Sequence, residues 1–122
     1  MQDLLSSISS KFTVEYRLLR ADSFDHVIRA ENITTKQFKI FFAGNSKKNA
    51  RLGIVASKKM LPKAADRNRI KRIIREVFRD HHIKQRKLDL VVMVARDYSK
   101  QFGAQIDNLK KLFSQVEDRC AE

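Results

Sequence analysis

The apolar positions fall into blocks with distinct periods. Asp22 is placed to cap a short helix carrying Phe24, Val27 and Ile28 on one face. From Lys36 to Ala43 the chain alternates with the two-residue period of a strand. Phe38, Ile40 and Phe42 face one way, and Lys39 and Phe41 the other. Gly44 to Asn49 is turn-forming in composition. A second strand is predicted from Arg51 to Lys58, with Leu52, Ile54 and Ala56 on one face and Gly53, Val55 and Ser57 on the other; Pro62 then breaks the pattern. Between Asp66 and His81, Ile70, Ile73, Ile74, Val77 and Phe78 recur at the spacing of a buried helical stripe. Leu88 to Ala95 is almost continuously apolar, as in a strand covered on both faces. A last helix, from Gly103 to Arg119, buries Ile106, Leu109, Leu112, Phe113 and Val116.

The order is α-β-β-α-β-α, an α+β fold in which a small mixed sheet is layered with helices (an α/β sandwich). A further short strand fits near Ile33–Thr35 or around Met60. Residues 1–11 are serine-rich and expected to be a flexible N-terminal segment, leaving 12–122 as one domain.

Composition narrows the class. Hydrophobic residues make up 43% of the 122 positions, enough for one modest core. Lys and Arg number 26 against 14 acidic residues, a formal charge of +12 that points to a polyanionic partner. The single cysteine, Cys120, has no internal partner for a disulfide. The longest strongly apolar run, Leu90 to Ala95, is far short of the ~20 residues that span a bilayer. Met1 to Ser10 contains Asp3 and lacks a basic cluster before an apolar stretch, so it does not read as a signal peptide. A cytoplasmic protein without a membrane partner is expected.

The charge is concentrated. Arg51 to Arg79 holds ten basic residues opposed only by Asp66 and Glu76, a net +8 out of the total +12. At about 100° per residue, Asn68, Lys71, Arg72, Arg75 and Arg79 share one side of the predicted helix. Like charges such as Lys71 with Arg75 cost an isolated helix a few tenths of a kcal/mol each, which phosphates would relieve. Two readings follow: the solvated face of an amphipathic helix, or a phosphate-binding surface.

Residues 51–79 read RLGIVASKKMLPKAADRNRIKRIIREVFR. The run Arg67-Asn68-Arg69 followed by Ile70-Lys71-Arg72 resembles the arginine-asparagine-arginine signature of the bacterial ribonuclease P protein family. The preceding glycine strand ending in Ser57-Lys58-Lys59 is similar too, as is Arg75-Glu76-x-Phe78. The likeness extends upstream to Leu19-Arg20-x-x-x-Phe24 and downstream through Asp89-Leu90-Val91-Val92 into the last helix, covering about Leu18 to Phe113.

The resemblance implies a fold like the second domain of ribosomal protein S5, with the basic helix linking two parallel strands by a left-handed βαβ crossover against the general right-handed rule. It implies a cofactor role in the ribonuclease P ribonucleoprotein. A catalytic RNA subunit, bound one to one, would hold Mg²⁺ and cut the precursor tRNA to remove its 5′ leader. This chain would carry no catalytic residue and no metal of its own, and DNA would not be a partner. Arg67, Arg69, Lys71, Arg72 and Arg75, with Lys58 and Lys59 at the strand end, would contact phosphates. Asn68 would bond RNA or fix a local turn. A leader cleft would be lined by Phe24, Ile28, Lys39, Phe41, Val55 and Ser57, with Phe24 and Phe41 either stacking on nucleotides or packing in the core. Ile28 stands where the family often has a second aromatic, and Val55 where a small hydroxyl residue is common.

Two other classes compete. A protein-borne nuclease site needs clustered carboxylates, whereas Asp89 and Asp97 merely flank a strand and His81 and His82 point in different directions. A ribosomal-type structural RNA-binding protein would carry the same charge. A DNA-reading helix-turn-helix needs two helices joined by a short turn, and the basic helix here is flanked by strand-like segments.

Overall fold

A computed structural model describes residues 16–18, 24–35, 37–94 and 102–120, with backbone alone over 102–104. The predicted N-terminal segment, the Asp22 cap, the Leu19-Arg20 pair, Lys36, Ala95 and Asp97 lie outside the described residues. The elements are α1 (Phe24–Ile28), β1 (Glu31–Thr34), β2 (Phe38–Gly44), β3 (Arg51–Val55), α2 (Ala64–Asp80), a 3₁₀ turn (His82–Gln85), β4 (Leu88–Val94) and α3 (Phe102–Cys120).

The strands form one mixed sheet in the order β1-β2-β4-β3. β1 and β2 are antiparallel, as are β2 and β4, while β3 and β4 are parallel neighbours joined through α2. The extra strand sits at Glu31–Thr34, its turn closed by the Thr35 N–H on the Phe38 carbonyl. The segment around Met60 is a turn instead. β3 is shorter than the alternation suggests. Its pairing with β4 ends at Val55↔Met93, and the Ser57 carbonyl and hydroxyl accept the N–H groups of Leu61 and Met60. Hydrogen bonds to Ser57 thus turn the chain where side-chain alternation continued.

The two faces of the sheet do different work. Phe38, Ile40, Phe42, Leu52, Leu90, Val92 and Val94 bury against Ile70, Ile74, Val77 and Phe78 of α2 and Leu109, Leu112, Phe113 and Val116 of α3. Phe78 meets Phe113 edge-on, with ring centroids 6.2 Å apart. The other face carries a smaller core of Leu18, Phe24, Val27, Phe41 and Val91 beneath α1. Central β4 is therefore covered on both sides, which is why its run is continuous rather than alternating. Ile28, expected beside Phe24 and Val27, is 38% exposed, because α1 is little more than one turn and ends there.

α2 begins at Ala64, two residues ahead of the expected start. The Lys63 side chain at its N-cap makes no capping bond, and Asp66 places a carboxylate in the positive first turn. At the other end His81 adopts an extended conformation, and its Nδ1 accepts the Ile83 N–H at 3.0 Å, ending the helix and opening the 3₁₀ turn.

Candidate nucleic-acid interface

The C-terminal end of β3 and the N-terminal end of α2 meet at one edge of the molecule. Between them runs a strap, residues 57–63. Ser57 locks its first half, Leu61 plugs into the main core at 3% exposure, and Lys58, Lys59 and Lys63 remain exposed. On α2, Asn68, Arg69, Arg72 and Arg75 are exposed and Lys71 is half-buried, opposite the stripe of Ile70, Ile74 and Val77. The strap and the solvent side of α2 together present at least six cationic groups.

Two arginines counted in the sequence patch are committed elsewhere. Arg67 is half-buried, and its Nη1 donates to the carbonyls of Leu61 at 2.8 Å and Pro62 at 2.9 Å. Arg51 makes a two-pronged pair with Asp89, Nε to Oδ1 at 2.9 Å and Nη2 to Oδ2 at 2.8 Å. Asn45 Nδ2 also donates to Asp89 Oδ1, at 2.9 Å. The Asp89 side chain is only 4% exposed, so this carboxylate is already satisfied. Among the described residues no three His, Cys, Asp or Glu side chains converge on a metal-sized site.

The α1 side of the sheet lies beside the strap. Strand register places three rows there: Ala43–Asp89–Arg51, Asn32–Phe41–Val91–Gly53 and Thr34–Lys39–Met93–Val55. α1 lies on the middle row, with the Phe24 ring against Gly53. The last row is half-buried through Lys39, Met93 and Val55. It occupies the end of the sheet from which the strap leaves.

Of the predicted cleft residues, Phe24 and Phe41 pack together in the small core at 9% and 6% exposure, with Val55 and Met93 against them. Lys39 Nζ sits 5.1 Å from the Phe41 ring centroid, a cation–π contact. Ile28 and Ser57 are exposed on α1 and in the turn. The sequence reading missed Met93, although parity with Asp89 and Val91 along LDLVVMV assigns it to this face.

At the opposite end of α2, the His81 imidazole is held by the Ile83 N–H on Nδ1 and by Ser114 Oγ, 3.2 Å from Nε2. An Nδ1 that accepts a hydrogen bond carries no proton, so the neutral ring donates from Nε2 to Ser114. The Glu117 carboxylate, 3.8 Å away, pairs instead with Arg86 Nε at 3.0 Å. Burial, the main cause, pushes the His81 pKa below its ordinary 6.5; neighbouring His82 acts in the same sense, while Glu117 and a backbone hydrogen bond with Lys110 oppose. Burial also pushes the Cys120 thiol up, away from the reactive thiolate. No helix among the described residues is long and apolar enough to cross a membrane.

Comparison with known proteins agrees with this geometry. A family model described as Ribonuclease P matches residues 12–117. A Ribonuclease P protein component of Legionella pneumophila (strain Lens) is 42% identical over 91 residues, 74% of this chain and 78% of that protein. One from Pseudoalteromonas atlantica is 35% identical over 113 residues, 91% of this chain and 94% of the relative. The RNase P protein from Thermotoga maritima superposes with a TM-score of 0.68 at 26% identity, covering 84% of this chain and 96% of its own. The resemblance carried by Arg67-Asn68-Arg69 and its surroundings therefore holds across the fold, and the chain belongs to the ribonuclease P protein family.

Proposed function

We propose that this chain is the RNA-binding protein cofactor of a ribonuclease P ribonucleoprotein, in which a catalytic RNA subunit cuts precursor tRNA and releases the 5′ leader. The observation that carries this is the concentration of accessible cations on the strap and α2, Lys58, Lys59, Arg69, Lys71, Arg72 and Arg75 with the polar Asn68 among them, at the end of the sheet that holds the half-open row of Lys39, Met93 and Val55. The helix face docks on folded RNA through phosphate contacts, which arginine makes bidentately. The open row takes the single-stranded leader, with exposed Ile28 of α1 and Ser57 of the turn completing the proposed cleft. Lys39 leaves the Phe41 ring for a phosphate, and the exposed edge of the small aromatic core meets a base. Hydrolysis is the work of the RNA and of Mg²⁺ held mainly by it. Among the described residues the buried carboxylate of Asp89 is engaged by Arg51 rather than open to a metal. The complex is one protein to one RNA in the cytoplasm.

The test is reconstitution with the host's catalytic RNA at low Mg²⁺. Adding the protein should restore correct 5′ cleavage, and the protein alone with precursor tRNA and Mg²⁺ should cut nothing. Arg72→Ala should flatten the dependence of log affinity on log salt by roughly one ion. An unchanged slope for both Arg69→Ala and Arg72→Ala would mean that this face is only solvated. Copurification with ribosomes rather than with one large RNA would favour a structural ribosomal role.

A further inference from the structure

We infer that Arg67 is a positioning residue: it clamps the 57–63 strap so that Lys58 and Lys59 sit on the same RNA-facing surface as the arginines of α2. This rests on the RNA-docking reading of that surface. It separates Arg67 from Asn68 and Arg69, its neighbours in the motif, which face solvent.

Arg67 ties strap to helix through its side chain. The Lys63 N-cap of α2 makes no side-chain cap and is extended at φ −83° and ψ 128°. At such a start the first-turn N–H groups and the preceding carbonyls need other partners. The Arg67 N–H makes the ordinary first helical bond, to the Lys63 carbonyl at 3.2 Å, and the additional tie is its Nη1, which reaches back to the carbonyls of Leu61 and Pro62. One nitrogen therefore gathers two consecutive carbonyls, a charge-assisted arrangement stronger than neutral hydrogen bonds. On the helical wheel Arg67 lies about 20° from Ile74, at the margin of the buried stripe rather than the centre of the basic face. Its stem thus runs along the core border and its head turns back over the strap.

The other end of the strap is held by Ser57, through its carbonyl on the Leu61 N–H at 2.9 Å and its hydroxyl on the Met60 N–H at 3.2 Å. Leu61 is the buried plug between the two clamps. Lys58 and Lys59 occupy the turn that these contacts enclose, and each is exposed. Releasing the Arg67 clamp frees the helix side of that loop. Two flexible cations then lose their fixed place, and binding must supply the ordering that the free protein had already completed.

The test is a double-mutant cycle on RNA affinity across a salt series, using the full chain and the catalytic RNA. Arg67→Met keeps the apolar stem and removes the donors; circular dichroism confirms the fold, and Arg67→Gln replaces it in the same cycle if it does not fold. Positioning predicts that Arg67→Met weakens binding by roughly three- to thirtyfold and lowers the salt slope by about two ions, although one charge has been removed. It also predicts that the effect shrinks to below about twofold in a chain already carrying Lys58→Ala and Lys59→Ala. Hydrogen exchange should quicken at the Met60 and Leu61 amides and stay unchanged at Ile74 and Phe78. A drop of about one ion that adds in full to the double-lysine variant identifies Arg67 as an ordinary phosphate contact and overturns the inference. So does an unaffected Lys58→Ala, Lys59→Ala chain when Arg72→Ala still weakens affinity. If Arg72→Ala and the double-lysine variant both leave the slope unchanged, it is the RNA-docking reading itself that fails.

Discussion

The contact between Gly53 and Phe24 allows a prediction whose sign can be worked from geometry. A Cβ added at Gly53 would lie 2.5 Å from the tip of the Phe24 ring, 2.7 Å from the next ring carbon and 3.1 Å from the Leu18 carbonyl oxygen. Carbon atoms rest at about 3.5–4.0 Å, so the ring would have to withdraw by about 1 Å. Phe24 is enclosed by Leu18, Val27, Phe41 and Val91 and cannot withdraw without lifting α1 from the sheet. The Leu18 backbone is itself held, its N–H on the Leu52 carbonyl at 2.9 Å. Overpacking of this kind costs about 1–3 kcal/mol. Replacing a strand glycine by alanine returns about 0.5–1 kcal/mol. The clash wins, and Gly53→Ala should lose about 1–2 kcal/mol. With a urea m-value near ~2 kcal/mol/M the midpoint falls by about 0.5–1 M, with the slope unchanged. Phe24→Leu removes the two ring atoms concerned, so in that background Gly53→Ala should become nearly neutral. Equal destabilisation in both backgrounds would show that the ring is not what excludes a side chain from position 53. In the holoenzyme, lifting α1 should weaken binding of precursor tRNA while mature tRNA is unaffected.

Two further outcomes follow from buried polar groups. Arg51→Ala strands the buried Asp89 carboxylate and should cost about 3–5 kcal/mol in urea unfolding, whereas the double change Arg51→Met, Asp89→Leu should recover most of it; a double variant as unstable as the single one refutes the pairing argument. His81 has a folded-state pKa below 6.5, so the unfolded chain binds the proton first: the contribution of His81 is complete above 6.5 and declines as pH falls from there through the lowered folded value. His81→Asn should therefore flatten the pH dependence of the urea midpoint across that window, and parallel curves for the two proteins would remove His81 as its source.

Much of this architecture was legible because burial follows period. Phe38, Ile40 and Phe42 separate from Lys39 and Phe41 by alternation alone, and the stripe from Ile70 to Phe78 lies where its spacing places it. The points of departure are those where hydrogen bonding rather than apolar pattern decides. β3 stops at Val55 because Ser57 captures two N–H groups, and α2 stops at Asp80 because His81 turns to serve Ile83. Within the site, charge counting identified the patch but not its internal division of labour. Arg51 and Arg67 look like Arg72 and Arg75 in the sequence. Their commitment to Asp89 and to two strap carbonyls depends on strand register and on a turn that residue types do not specify. Parity puts Met93 on the face of Asp89 and Val91, but its place in a row with Lys39 and Val55 follows only once β4 is known to lie between β2 and β3.

The remaining cations of α2 form a surface that the free protein would be better without. Lys71, Arg75 and Arg79 stand one turn apart in succession. Among the acidic groups close to them, Asp80 lies 3.8 Å from Arg79 and is largely exposed, where an ion pair contributes little. Arg75→Glu turns three repulsions, with Lys71, Arg72 and Arg79, into three attractions. With a few tenths of a kcal/mol for each repulsion relieved and each attraction formed, the free protein should become more stable by about 1–3 kcal/mol. The same change should weaken RNA affinity and flatten the salt dependence by roughly two ions, because one phosphate goes unpaired and a carboxylate now repels it. Opposite signs in the two assays are the mark of a surface retained for a partner. A solvated helix face would gain stability with no change in binding, whereas a face that served the fold would be destabilised. Measuring both on one protein therefore tests whether the charge on α2 exists for RNA.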